Sequence, residues 1–239
     1  MKIAIISDIH ANFDALSALP EVYDELWVLG DLVNYGPEPA AVIDFVESKA
    51  ALVVCGNHDY SIGFNQDPRC SARFREMAEA TRRYTNSVLS IEDKHFLRHL
   101  PRFVETQRCG VRFHLCHAVP SDPLFGYCQA DSRRWLTELE GVDADIVLVG
   151  HTHIPSVQSF GSLLVVNPGS LGQPKKGSPE ASYATWEDGK IEIKSYSYPV
   201  ERAAAKVQSL PIQDILRDEL SAILRTGEIP PIKNQEEEH

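Results

Sequence analysis

An α/β fold with two sheets is predicted by three observations. Short Ile, Val and Leu runs alternate with amphipathic stretches through the first part of the chain. After Phe103 the pattern turns hairpin-like. Asp, Asn and His residues, several of them behind a glycine, recur where the apolar runs stop. At 239 residues, 43% of them hydrophobic, the chain can bury one sizeable core, and a single domain over 1–227 is the simplest reading.

The elements follow in order. Lys2 to Ser7, Leu26 to Leu29 and Ala51 to Cys55 read as buried strands. Between them Asn12 to Leu19 and Glu38 to Ser48 have helical spacing, with Asn12 as an N-cap and Pro39 in a first turn. The order βαβαβ calls for a right-handed parallel sheet. Residues 71–100 carry two helical patterns between Pro68 and Pro101, with too little apolar surface for a separate core. The stretch of about 60–100 therefore reads as a small helical cap inserted into the domain. Phe103 to Gln107 and Val111 to Cys116 form a hairpin pattern about Cys109-Gly110, where a second sheet begins. A helix over Asp131 to Glu140 leads to the strand Ile146 to Val149. The strands Ser156 to Phe160, Leu163 to Val166, Ser182 to Trp186 and Ile191 to Tyr196 follow it. Helices near Val200 to Gln208 and Ile212 to Arg225 cover a sheet face, and 228–239 is a polar tail.

Composition narrows the function. A net charge of −11 disfavours a broad basic face for extended nucleic acid, whose affinity scales with the phosphates neutralised. No run of about 18 apolar residues suggests a membrane span, and the apolar start at Met1 to Ile6 is too short for an export signal. Five scattered cysteines without a C-x-x-C pair suit reduced thiols, so the expected location is the cytoplasm.

The chemistry sits at the ends of the strands. Asp8-Ile9-His10 follows the first, and residues two apart in extended chain share a face, so a carboxylate and an imidazole can converge on one metal. Gly30-Asp31 follows the second strand, and Gly56-Asn57-His58-Asp59 the third. Asn57 offers a neutral oxygen ligand, useful where a carboxylate would over-neutralise a site that must bind an anion. His117 ends the strand from Val111, and Gly150-His151-Thr152-His153 ends the strand from Ile146. Together these give four imidazoles (His10, His117, His151 and His153) beside Asp8, Asp31 and Asn57. Seven ligands suit two metals rather than one. His95, His99, His114 and His239 read as ordinary histidines. The pairs Lys175-Lys176, Arg82-Arg83 and Arg133-Arg134 read as solvated faces.

In this order the five pieces resemble the motifs of the calcineurin-like metallophosphoesterases. Gly30 to Pro37 and Asn167-Pro168-Gly169-Ser170 are similar to the small bacterial phosphodiesterase branch. The resemblance implies a four-layer α/β/β/α sandwich with two mixed sheets. It places Asp8, His10 and His153 on one metal, Asn57, His117 and His151 on the other, and Asp31 as the bridge. It also implies two divalent transition-metal ions about 3.5 to 4 Å apart whose bridging hydroxide attacks phosphorus. Manganese comes first, with iron, zinc, nickel or cobalt as alternatives. His58 corresponds to the catalytic histidine, and Asp59 is expected to orient its ring. The fourth motif reads His117-Ala118 where the family has His-Gly, and Asn34-Tyr35 replaces an Arg-containing end of the second motif, which argues against protein phosphatase activity. The expected activity is hydrolysis of a phosphodiester, phosphoanhydride or phosphomonoester, with a nucleotide or dinucleoside polyphosphate as the preferred small substrate. A nuclease of the same superfamily and a non-catalytic scaffold on the same fold are the rival readings.

Overall fold

A computed structural model describes residues 1–231, and most of the tail read over 228–239 falls outside the described residues. The first sheet has the order β10-β9-β1-β2-β3, with β1 at Lys2–Ile6, β2 at Glu25–Val28, β3 at Leu52–Val53, β9 at Ala181–Glu187 and β10 at Lys190–Tyr196. The second has the order β4-β5-β6-β8-β7, with β4 at Phe103–Arg108, β5 at Val111–Cys116, β6 at Ile146–Leu148, β7 at Ser156–Phe160 and β8 at Leu163–Asn167. Strands β1, β2 and β3 run parallel, as the βαβαβ pattern requires.

One feature differs from the sequence reading. The last two strands leave the second sheet and return to the first, where β9 lies antiparallel to β1 with Ile3 opposite Trp186. The second sheet is mixed, as expected, with a parallel centre, β5-β6-β8, and antiparallel pairs at its edges. Strand pairing over such distances leaves no local signal, because a buried strand looks the same in either sheet.

The alternation of side chains builds the layers. Ile3, Ile5, Trp27, Leu29, Phe113, Leu115, Leu148 and Trp186 point between the sheets. There Phe113 meets Trp27 and Trp186 edge to face, with ring centroids 5.0 and 5.4 Å apart. The opposite positions, Ala4, Ile6, Leu26 and Val28, face a helical layer. That layer holds α1 (Phe13–Ser17), α2 (Pro39–Lys49), α3 (Asn57–Phe64), α4 (Arg75–Val88), α5 (Ile91–His99), α7 (Val200–Gln208) and α8 (Asp214–Thr226). On the far side, Cys116, Val147 and Val165 pack against Trp135 of the short helix α6 (Trp135–Glu138). The result is an α/β/β/α sandwich of two mixed sheets. Met77, Ala78 and Leu97 from the stretch between β3 and β4 share the core of the first helical layer, while 65–74 runs from α3 to α4. No helix among the described residues is long and apolar enough to cross a membrane.

Candidate metal centre

Each predicted ligand lies just beyond a strand, where the chain turns sharply. Asp8, His10, Asp31, His151 and His153 all have φ between +46° and +66°, a conformation that non-glycine residues adopt at a cost of about 1–3 kcal/mol each. The convergence of Asp8 with His10 is therefore produced by a left-handed turn and not by extended chain. The glycines explain how the turns approach one another. A Cβ on Gly30 would lie 2.5 Å from Gly56 N, one on Gly56 would lie 2.1 Å from Asp31 Oδ1, and one on Gly150 would lie 2.0 Å from Ser7 Oγ.

These turns bring six of the seven predicted ligands into two clusters, Asp8 with His10 and His153, and Asp31 with His117 and His151. Asn57 joins the second cluster, its Oδ1 3.2 Å from His117 Nε2, while its Nδ2 donates to Pro68 O at 2.7 Å. The two imidazoles of His-Thr-His thus part company, one to each cluster. Asp31 lies between the clusters: Oδ2 is 3.3 Å from His117 Nε2 and 3.7 Å from His10 Nε2.

The donor set fits divalent cations. Nδ1–H of His10, His117 and His153 donates to the carbonyls of Val33, Leu29 and Gln173 at 3.1, 2.8 and 2.7 Å. This turns each Nε2 inward, toward the other side chains of its cluster. The Nε2 atoms of His10 and His153 then face each other at 3.2 Å, and Asp8 Oδ1 is buried with no hydrogen-bond partner. Lone pairs so close to each other and to a carboxylate repel unless a cation lies among them. Burial pushes His10 and His153 well below the usual histidine range and His151 down to about 3, so these rings are neutral, as ligands must be. At His117 burial works the same way, but the Asp31 carboxylate outweighs it and pushes the ring up to about 9. That site draws positive charge even against its burial.

His58 stands beside the second cluster without joining it. Its backbone N–H donates to Asp31 Oδ1 at 2.9 Å, and its ring Nδ1 is 2.8 Å from the Asn34 amide. The Asn34 side chain serves both protonation states of the ring. Nδ2–H donates to the neutral form, and, turned over, the otherwise unpartnered Oδ1 accepts from Nδ1–H of the charged form. Burial opposes charge on His58, but Cys70 and Asp31 outweigh it, and the ring titrates above the usual histidine range. Cys70 Sγ lies 3.4 Å from His58 Nε2.

Asp59 does not have the role expected of it. Its carboxylate turns away from His58 and accepts three buried backbone N–H groups, from Asp31 and Gly56 on Oδ2 and from Leu32 on Oδ1, at 2.8, 2.9 and 2.8 Å. It ties the turn after β2 to the start of α3, and so fixes Asp31 relative to Asn57. The partner of His58 is Asn34, which the sequence reading set aside as a departure from a motif. The clusters open into a cleft of about 430 Å³ lined also by Tyr35, Arg69, Cys70, Phe74, Phe125, Tyr127 and Lys175. Lys175, read as part of a solvated pair, belongs to this cleft.

Two candidate metal-ligand clusters on the loops of a two-sheet α/β/β/α sandwich suit a metal-dependent phosphoesterase. Residues 1–188 match the calcineurin-like phosphoesterase superfamily domain, and the chain belongs to that superfamily. It is a hydrolase of phosphoric esters. The Methanocaldococcus jannaschii protein MJ0912 is 32% identical over 228 residues, 86% of this chain and 91% of its own. Phosphodiesterase YfcE of Escherichia coli is 26% identical over 201 residues, 81% of this chain and 91% of its own. A metallophosphoesterase from Sphaerobacter thermophilus superposes with a TM-score of 0.78 at 28% identity, covering 93% of this chain and 99% of that one.

Proposed function

We propose that the protein hydrolyses a small phosphodiester or phosphoanhydride, foremost a nucleotide derivative such as a dinucleoside polyphosphate, with two divalent metal ions, manganese first. The observation that carries this reading is the position of Asp31 Oδ2 between the two inward-facing imidazoles, 3.3 Å from one and 3.7 Å from the other. Asp8, His10 and His153 would hold one ion, Asn57, His117 and His151 the second, and Asp31 both.

When bound, the two ions acidify water and neutralise phosphoryl charge. The chain's own groups supply the rest. Hydrolysis adds water across a P–O bond: the water oxygen joins phosphorus, and the leaving oxygen departs with a proton. His58 faces the cleft from beside the second cluster, where its ring Nε2–H can stabilise the phosphoryl oxygens or deliver that proton. A ring that titrates above the usual range holds its proton longer as pH rises. Asn34 fixes its plane, and Asp59 fixes the turn that carries Asp31. Five free thiols suit a reducing cytoplasm.

The test is a side-by-side assay with added Mn²⁺ on a phosphomonoester, a phosphodiester and a dinucleoside polyphosphate, alongside elemental analysis. Turnover of the diester or the anhydride above the monoester is expected. Two bound metals with no turnover on any of the three would contradict the reading and favour a scaffold on the same fold.

A further inference from the structure

The chemistry above leaves two cations of the cleft unused. Lys175 and Arg69 line the same cleft as Asp31, His58 and His153, in a chain whose net charge is −11. Among the described residues neither head group forms an ion pair or a hydrogen bond. Each lies over an aromatic ring instead, Lys175 Nζ 4.4 Å from the Phe74 centroid and the Arg69 guanidinium 4.3 Å from that of Phe125. A ring face attracts a cation by about 0.5–1 kcal/mol at an exposed site and about 2 kcal/mol when desolvated, but takes up none of its in-plane or outward donors.

Both cations are tethered to the metal centre. Lys175 stands two residues after Gln173, whose carbonyl holds His153 of the first cluster. Arg69 follows Pro68, whose carbonyl holds Asn57 of the second. A shift of either loop would disturb a ligand, so the loops are held where the ligands need them. The attacked phosphate of a simple diester carries one negative charge, which two metal ions and His58 already meet. Two more cations, desolvated in part and unpaired, exceed what that single charge requires.

We propose that Lys175 and Arg69 form anion subsites flanking the attacked phosphate, and that the substrate is a phosphoanhydride chain bearing further phosphates. The inference rests on the phosphoesterase reading and narrows its substrate class. Lysine supplies a point charge and arginine a fork, both suited to non-bridging phosphate oxygens. Phe74 and Phe125 each support one head group from a ring face and leave its other donors free.

The test uses the Mn²⁺-loaded protein, with Mn²⁺ in excess over nucleotide, on diadenosine di-, tri- and tetraphosphate, with bis(p-nitrophenyl) phosphate as the singly charged reference. In the wild type kcat/KM should rise at least tenfold from the reference to the longer anhydrides, mainly through KM. Lys175→Met and Arg69→Met should each lower that ratio about five- to tenfold, and Lys175→Arg should restore most of it. Lys175→Gln serves if the methionine variant folds poorly, and melting temperature and metal content check all four. A wild-type ratio near one, variants with the wild-type ratio, or equal losses on both substrate types would overturn the proposal. Calorimetric binding of diadenosine tetraphosphate separates this from the parent reading. If the wild type turned over no ester, a fivefold weaker affinity in both variants would still support the subsites, and unchanged affinity would still overturn them.

Discussion

Replacing Asp59 by asparagine separates its backbone role from the orientation of His58. The carboxylate accepts from Asp31 N–H and Gly56 N–H on one oxygen and from Leu32 N–H on the other. Asparagine retains a single carbonyl oxygen. Set toward Asp31 and Gly56 it keeps two bonds, now neutral, and turns its amide NH₂ donor-to-donor against Leu32. The loss of one charge-assisted bond costs about 1.5–3 kcal/mol, and the weakening of the other two brings the total to roughly 3 kcal/mol. For a chain of this size each kcal/mol is worth about 2–4 °C, so the melting temperature should fall by roughly 6–12 °C. Because the freed turn carries Asp31, the Mn²⁺ concentration for half-maximal activity should rise about 10- to 100-fold, as for other partners behind metal ligands. At saturating Mn²⁺, kcat should return to within about threefold of wild type, since Asn34 still holds the His58 ring. The assay is a Mn²⁺ titration of phosphodiester hydrolysis with a thermal melt on each sample. A kcat that stays down at saturating metal, with melting temperature and metal dependence unchanged, would refute this account and return Asp59 to the imidazole.

Four further outcomes follow from the same geometry. Asp31→Asn should lower metal content as measured by elemental analysis and cut turnover at least 100-fold, because Oδ2 faces both clusters. His58→Ala should keep both metals and lose about 10²- to 10⁴-fold in kcat, and Asn34→Ala should lose about tenfold with metal content unchanged; wild-type rates in His58→Ala would remove that residue from the mechanism. Burial pushes the Lys175 ammonium down to about 8 despite the opposing charges of Asp8, Cys70 and Asp31. It is therefore charged below that pH and neutral above it. The kinetic advantage of longer anhydrides over the singly charged diester should shrink between pH 7 and pH 9, and this decline should flatten in Lys175→Met.

Much of the centre was legible because its residues interrupt buried apolar strands, where a polar side chain stands out. Gly30, Gly56 and Gly150 mark the same places for a second reason, since a Cβ at each would strike the neighbouring turn. The parallel order of β1, β2 and β3 was legible from the alternation of strands and helices. What escaped depends on contacts distant in sequence. Strands β9 and β10 carry no mark of the sheet they join; β9 lies antiparallel beside β1, where Trp186 packs against Phe113. Asp59 follows His58 in sequence, which invites a pairing that the helical turn of α3 prevents by sending adjacent side chains to different sides. Asn34 reaches His58 only because the turn after β2, with Asn34 and Tyr35 at positive φ, folds back over the centre. Lys175 looked like one half of a solvated pair until the loop after β8 carried it into the cleft.

The central claim is that the seven strand-end residues hold two metal ions at once. It is tested most directly by titrating metal-free protein with Mn²⁺ while following bound metal and phosphodiester hydrolysis together. The account predicts that turnover reaches its plateau only as the second equivalent per chain binds. Full turnover with one equivalent, or with none, would contradict it.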